Sequence, residues 1–237
     1  MKPSKCEFGQ CSVEFLGHVI GNGAKKCQDD KVAKVRNAQP PTTKKQVRAF
    51  LGLCGYYRDF IPQFAETASP LFDLIKKNSP TKVQWEGQHH KAFDSLKEKL
   101  CSEPILRLPD ESRPYLLRTD ASNEGVGAVL LQEHEDGAWP VAYYSRKLKP
   151  AEKNYATVEK ELLAVIAGVK RFYTHLYGGE FTLETDHLPL QYLQVSKGSN
   201  TRLMRWALYL QQYRYNIRYI KGSLNVGADY LSRSGDH

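Results

Sequence analysis

Tyr115-Leu-Leu-Arg-Thr-Asp-Ala-Ser-Asn-Glu-Gly125-Val-Gly-Ala-Val-Leu-Leu-Gln132, running on to Val141-Ala-Tyr-Tyr-Ser145, decides how this chain is read. Residues 115–119, 126–132 and 141–145 are short and rich in β-forming side chains, with turns supplied by Asn123-Glu-Gly125 and Glu135-Asp-Gly137. That spacing predicts a three-strand meander. Asp120 follows Thr119 at the C-terminal end of the first strand, where side chains of adjacent parallel strands converge.

Working outward, Asn154 is positioned to cap a long helix that runs to Tyr177 and stops at Gly178-Gly179. Its apolar stripe is Val158, Leu162, Val165, Ile166, Val169, Phe172 and Leu176, and Glu161 falls on the same stripe. A carboxylate buried there without compensation costs several kcal/mol, roughly 2–7 for a polar group. A cation or a water-filled cleft supplies the compensation, whereas Glu159 projects elsewhere and reads as a solvated charge. A strand at 181–185 is followed by Asp186, then by short helical material at 188–195, a helix at 201–213, a strand at 215–220 and a last helix from about Val226. Asp229 opens that last helix after Gly227. Singly, Asp120 starts a turn, Asp186 caps a helix and Asp229 sits in a first helical turn. Taken together, four acids on a strand, a helix, a strand and a helix point to a divalent-metal site, because carboxylate oxygens brought close repel one another unless a cation lies between them.

The first hundred residues follow a different pattern. Residues 12–20 read as a strand closing at Gly21-Asn-Gly23, one arm of a hairpin. Thr43 and Gln46 form a capping-box pattern opening a helix that ends before Pro62, with Val47, Phe50, Leu51, Cys54 and Ile61 at roughly helical spacing. Further helices are predicted within 66–77 and over 88–100, the latter with Phe93, Leu96 and Leu100 on one face. A hairpin followed by a small helical bundle results.

Composition narrows the function classes. The 237 residues carry 34 Lys and Arg against 26 Asp and Glu, for a net charge of +8. Residues 1–50 hold ten basic and four acidic side chains, so the excess is concentrated at the start, where it favours a polyanionic partner or forms a solvated face. Five cysteines, odd in number and widely spaced, argue against a disulfide framework and fit a reduced intracellular setting, cytoplasmic or nuclear. Cys6, Cys11 and His18 lack the second cysteine pair of a zinc set. The longest apolar run, 162–169, is far short of a bilayer span, so no membrane association is expected.

The order of motifs resembles the C-terminal part of the reverse transcriptase of a gypsy-type LTR retrotransposon. The resemblance rests on Phe15-Leu-Gly-His18, Phe50-Leu-Gly-Leu53, Tyr56-Tyr-Arg58, Trp85 with Ala92-Phe93, Thr119-Asp-Ala-Ser122, Gly125-Val-Gly-Ala-Val129, Tyr143-Tyr-Ser145, Glu159-Lys-Glu-Leu-Leu163, Thr185-Asp-His187, Arg205-Trp206 and Ala228-Asp-Tyr-Leu-Ser-Arg233. It implies an α/β chain in which 1–28 resemble the end of the palm with its primer-contacting hairpin. Residues 29–110 resemble a thumb-like helical region and linker, and 111–237 a ribonuclease H-like domain with a mixed five-stranded sheet flanked by helices.

It further implies a hydrolase that cuts the RNA strand of an RNA/DNA hybrid with two Mg²⁺ ions, Mn²⁺ being a possible substitute. Asp120, Glu161, Asp186 and Asp229 would be both the metal ligands and the catalytic residues. Asp120 would bridge both ions, Asp229 would help hold the ion that activates water, and Glu161 and Asp186 would hold the ion at the leaving 3′ oxygen. Partners implied are the hybrid and the remaining fingers and palm, or a second subunit. Arg202, Arg205, Arg214, Arg218 and Lys221 are candidates for hybrid phosphates, though exposed arginines are more often simply solvated; Tyr143, Tyr144 and Trp206 read as core, and His187 as structural. Two departures stand out: the Tyr-x-Asp-Asp segment of the polymerase site is absent, and Lys221-Gly-Ser-Leu224 has no histidine where many ribonucleases H carry one. A competing class is a catalytically idle nucleic-acid-binding or interaction remnant of a retroelement.

Overall fold

The computed structural model describes residues 9–80, 82–102, 104–185 and 201–220. The chain divides into two compact units, Met1–Ile61 with Pro70–Pro109, and Pro62–Ser69 with Asp110–His237.

The first unit opens with β1 (Ser12–Phe15), β2 (His18–Gly21) and β3 (Ala24–Cys27), joined by β4 (Ile105–Arg107) in a four-stranded antiparallel sheet of order β1-β2-β3-β4. The stretch expected as one strand is therefore two, broken at Leu16-Gly17. Leu16 has φ 46° and Gly17 φ 74°, and Asn22 and Gly23 repeat the pattern at 50° and 69°. Positive φ at both central residues is the type I′ geometry that suits strand twist. Leucine is not a turn signal, so the first turn is invisible locally; it is held instead by Tyr57, whose hydroxyl donates to the Gly17 carbonyl at 2.6 Å, and by Tyr56, which donates to the Leu16 carbonyl.

Helices α1 (Asp29–Arg36), α2 (Lys44–Tyr56), the short α4 (Ser69–Leu74) and α5 (Gly87–Cys101) make up most of the rest of that unit. At the start of α2 the Gln46 amide donates to Thr43 Oγ1 at 3.3 Å while the Thr43 amide donates to Gln46 Oε1 at 3.1 Å, the reciprocal cap expected. Val47, Phe50, Leu51 and Cys54 of α2 are buried, as are Phe93, Leu96 and Leu100 of α5, and the Phe50 and Phe93 rings lie 4.5 Å apart between centroids.

The second unit is an α/β fold built on a five-stranded mixed sheet. Strands β5 (Tyr115–Ala121), β6 (Gly125–His134) and β7 (Gly137–Lys147) make the expected antiparallel meander, and β8 (Glu180–Thr185) and β9 (Arg214–Tyr219) add parallel to β5, giving the order β7-β6-β5-β8-β9. The predicted long helix is instead two, α7 (Thr157–Arg171) and α8 (Tyr173–Leu176), preceded by a short α6 (Pro150–Lys153). Asn154 ends α6 rather than starting α7, whose first turn is capped by Glu159 accepting from the Ala156 amide at 3.1 Å. The apolar stripe begins at Leu162, since Val158 is 44% exposed. Leu162, Val165, Ile166 and Val169 pack against Leu117, Ala128, Leu130, Phe181 and Leu183 of the sheet. Helix α9 (Thr201–Leu210) rests against α7. The short α3 (Phe64–Thr67), which lies in the stretch expected to be thumb-like, packs on β7, where the Ala65 amide donates to Ser145 Oγ at 2.9 Å. Among the described residues no helix is long and apolar enough to cross a membrane.

Candidate metal centre

Alternation along β5 sorts its side chains into two sets. Leu117 and Thr119 lie under α7, close to Gly168: a Cβ added there would stand 3.4 Å from Leu117 Cδ1 and 3.5 Å from Thr119 Cγ2. Arg118 and Asp120 therefore occupy the opposite face. There Asp120, half-buried, lines a recess of about 50 Å³ with Pro62, Gln63, Arg118, Gly127, Val129 and Tyr143. Burial pushes the Tyr143 phenol up to about 12, against the opposing pull of Arg118, so it remains a neutral hydrogen-bonding group. A recess of this size holds a few waters or a hydroxyl group but not a nucleobase.

Glu161 is 8% exposed, in the second turn of α7. That end of the helix is tied to the turn leaving β5, where Lys160 Nζ donates to Asn123 Oδ1 at 2.9 Å and Lys153 Nζ donates to Glu124 at 2.6 Å. Asp120 and Glu161 thus sit at the same end of the packed β5–α7 pair. Strand β8 runs parallel beside β5 with Arg118 opposite Glu184, so the adjacency of these strands is as expected. Asp186, Asp229 and Lys221 lie outside the described residues. Among the described residues, no group of three or more His, Cys, Asp or Glu side chains stands together as a metal site.

Two ion-pair partnerships and one neighbour were not foreseen. Glu159 is no solvated charge: it caps α7 and accepts from Arg202 Nη1 at 3.0 Å, while the Arg202 guanidinium stacks 3.8 Å from the Tyr155 ring. Arg218 is likewise committed to Glu133 and Glu184, whose hydrogen bonds raise its pKa, so neither arginine extends freely toward a phosphate. Gln63 reaches the Asp120 recess from a segment well before the domain in sequence. No local pattern signals these, because each partner stands on a separate element far away in the chain.

Residues 85–183 match the family described as RNase H-like domain found in reverse transcriptase. At the level of particular proteins, the chain is similar to transposon polyproteins. It is 41% identical over 229 residues to the retrovirus-related Pol polyprotein from transposon 297 of Drosophila melanogaster, which covers 97% of this chain and 21% of that protein. It is 40% identical over 239 residues to the transposon Tf2-3 polyprotein of Schizosaccharomyces pombe, covering 98% of this chain and 18% of that protein. The chain therefore spans about a fifth of the length of the curated relatives it matches. Among solved structures, the foamy viral protease-reverse transcriptase in complex with RNA/DNA hybrid shares the fold with a TM-score of 0.74 at 24% identity, over 90% of this chain and 30% of that one. The foamy viral protease-reverse transcriptase dRH in complex with double-stranded DNA gives 0.76 at 24% identity over 90% of this chain and 38% of that one.

Proposed function

We propose that this chain is the thumb and ribonuclease H part of a gypsy-type retrotransposon reverse transcriptase, and that it cuts the RNA strand of RNA/DNA hybrids with Mg²⁺. The observation that supports this best is that Asp120 lies near the end of β5 and Glu161 in the second turn of the helix packed on it, at the same end of the β5–α7 pair. Hard carboxylate oxygens, one of them half-exposed, match the donors Mg²⁺ takes. Asp120, Glu161, Asp186 and Asp229 would hold two ions, which when bound supply Lewis acidity and a nucleophile at neutral pH. The chain's own part is to fix the acids on rigid elements and to present the recess, with the Tyr143 phenol and Gln63 amide, to the sugar-phosphate backbone. A Gln amide can both donate to and accept from a 2′-hydroxyl, the group that separates RNA from DNA.

The test is incubation of an end-labelled RNA/DNA hybrid with the full chain and Mg²⁺, beside Asp120→Asn and Glu161→Gln. Cleavage by the wild type and loss of at least about a hundredfold in each variant, with unchanged circular dichroism, is the expected result. Wild-type cleavage that persists in either variant removes that residue from the site, and no cleavage by the wild type refutes the activity.

A further inference from the structure

The two edges of the five-stranded sheet are built differently. Strand β7 carries Pro140, and its pairing with β6 shifts register between Leu130 and Leu131, devices that spoil an edge for further pairing. Strand β9, at the other end of the order, has neither proline nor lysine along Arg214–Tyr219, and its register with β8 is continuous. The Ile220 amide donates to the Thr185 carbonyl at 3.0 Å, so residues 214, 216, 218 and 220 turn their N–H and C=O groups toward β8. Those of Tyr215, Ile217 and Tyr219 point outward, and among the described residues nothing pairs with them.

The same three side chains lie on the face of the sheet that holds α7, since Tyr215 stands opposite Phe181 and packs on the core beneath that helix. Ile217 is 42% and Tyr219 56% exposed. An open edge with exposed apolar side chains is a template for another strand. On the opposite face Asn216 donates to Glu180 at 2.6 Å and Arg218 is paired with Glu184 and Glu133, so these side chains turn back onto their own sheet.

We propose that β9 is an interaction surface for a second copy of this chain, the two β9 strands pairing antiparallel about a two-fold axis that passes Ile217 perpendicular to the sheet. Such an axis leaves both copies of α7 on one side of the joined sheet, so residues of like parity face each other. Centred on Ile217, it sets Ile217 against itself, Tyr215 against Tyr219 and Asn216 against Arg218. Opposed residues whose N–H and C=O groups point at each other exchange both bonds, which satisfies every outward group of Tyr215, Ile217 and Tyr219. Aliphatic and aromatic side chains then meet across the seam. Moving the centre one residue either way sets Arg214 against Arg218 or Arg218 against itself, and like charges directly opposite are destabilising. The strand therefore selects one register of itself.

Sedimentation equilibrium of the full chain over a concentration series tests this. A single edge-to-edge contact belongs to the small, transient class of interface, so reversible dimerisation with a Kd on the order of 100 µM is expected. Ile217→Lys places two like charges at the axis and weakens association at least about tenfold, whereas Val13→Lys, the same charge change on the exposed strand β1, leaves it within about twofold. Ile217→Cys, mildly oxidised, forms a disulfide joining position 217 of the two copies, found by peptide mass spectrometry, because hydrogen-bonded pairs hold Cα atoms about 5.5 Å apart, within disulfide range. This link decides the matter if Ile217→Lys does not fold. A wild type that stays monomeric up to about 300 µM overturns the proposal. So does association that is unchanged in Ile217→Lys, association lost in Val13→Lys instead, or failure of Ile217→Cys to link where the wild type associates.

Discussion

Close packing of α7 on the sheet sets where Glu161 lies relative to β5, and it depends on one residue without a side chain. A Cβ on Gly168 would stand 3.0 Å from the Ala128 Cβ. Two methyl groups at that distance are well inside their preferred separation of roughly 3.5–4.0 Å, so one must move. Overpacking of this kind costs typically about 1–3 kcal/mol, while replacing a mid-helix glycine by alanine returns about 1 kcal/mol of helix propensity. Gly168→Ala is therefore expected to be neutral to destabilising by about 2 kcal/mol. In an Ala128→Gly background the closest contact is gone, and the remaining approaches to Leu117 and Thr119, at 3.4 and 3.5 Å, are ordinary van der Waals contacts. There the same substitution becomes stabilising by up to about 1 kcal/mol, so the double-mutant cycle carries a coupling of at least about 1 kcal/mol. Urea unfolding of the four proteins measures it, and the intrinsic cost of Ala128→Gly cancels in the cycle. A coupling below about 0.5 kcal/mol, the level at which independent sites simply add, would refute the claim that the helix and sheet touch through this pair.

The remaining expectations concern thiols, acid and salt. Burial pushes Cys27 and Cys54 up to about 12, whereas Cys11 is exposed, so iodoacetamide at pH 8 should label Cys11 first and reach Cys27 and Cys54 only on unfolding; peptide mass spectrometry that finds Cys54 labelled early would contradict its burial. Burial alone would raise the Glu152 carboxyl, but hydrogen bonds from Arg146 at 2.6 and 3.1 Å and from the Lys149 amide outweigh it and hold the pKa below the usual range. A depressed folded pKa means that its stabilisation is complete above the unfolded value, near 4.5, and is lost as pH falls through the folded value. Glu152→Gln should therefore lower stability at pH 7 and flatten the acid limb of a stability-pH curve; parallel curves for the two proteins would dismiss the Arg146 pairing. The basic excess of residues 1–50 predicts that the full chain binds hybrid with a steeper salt slope than a 111–237 fragment, and equal slopes would make that excess a solvated surface only. The fragment also loses the Ala65–Ser145 hydrogen bond and the Gln63 wall of the recess, so it should melt lower and bind more weakly even at low salt.

Local pattern in the sequence determined those features that depend on neighbours within a few residues. Alternation at 115–145 with two turn segments specifies the β5–β6–β7 meander, because a half-buried strand and a tight turn are encoded within a dozen residues. Thr43 and Gln46 specify the start of α2 for the same reason. Glu161 on an apolar helix face was legible as a buried acid because helical period fixes which side chains share a face. Tertiary structure alone decided the rest. The turn at Leu16-Gly17 is held by two tyrosines forty residues away, against the preference of leucine. Arg118 and Arg218 close on the buried Glu184 only once β8 and β9 join β5 in parallel, and Gln63 meets Asp120 only when the segment Pro62–Ser69 packs with the second unit. A charge in a sequence shows that it must be compensated if buried, but its partner is set by strand pairing and packing over long separations, which no local period encodes.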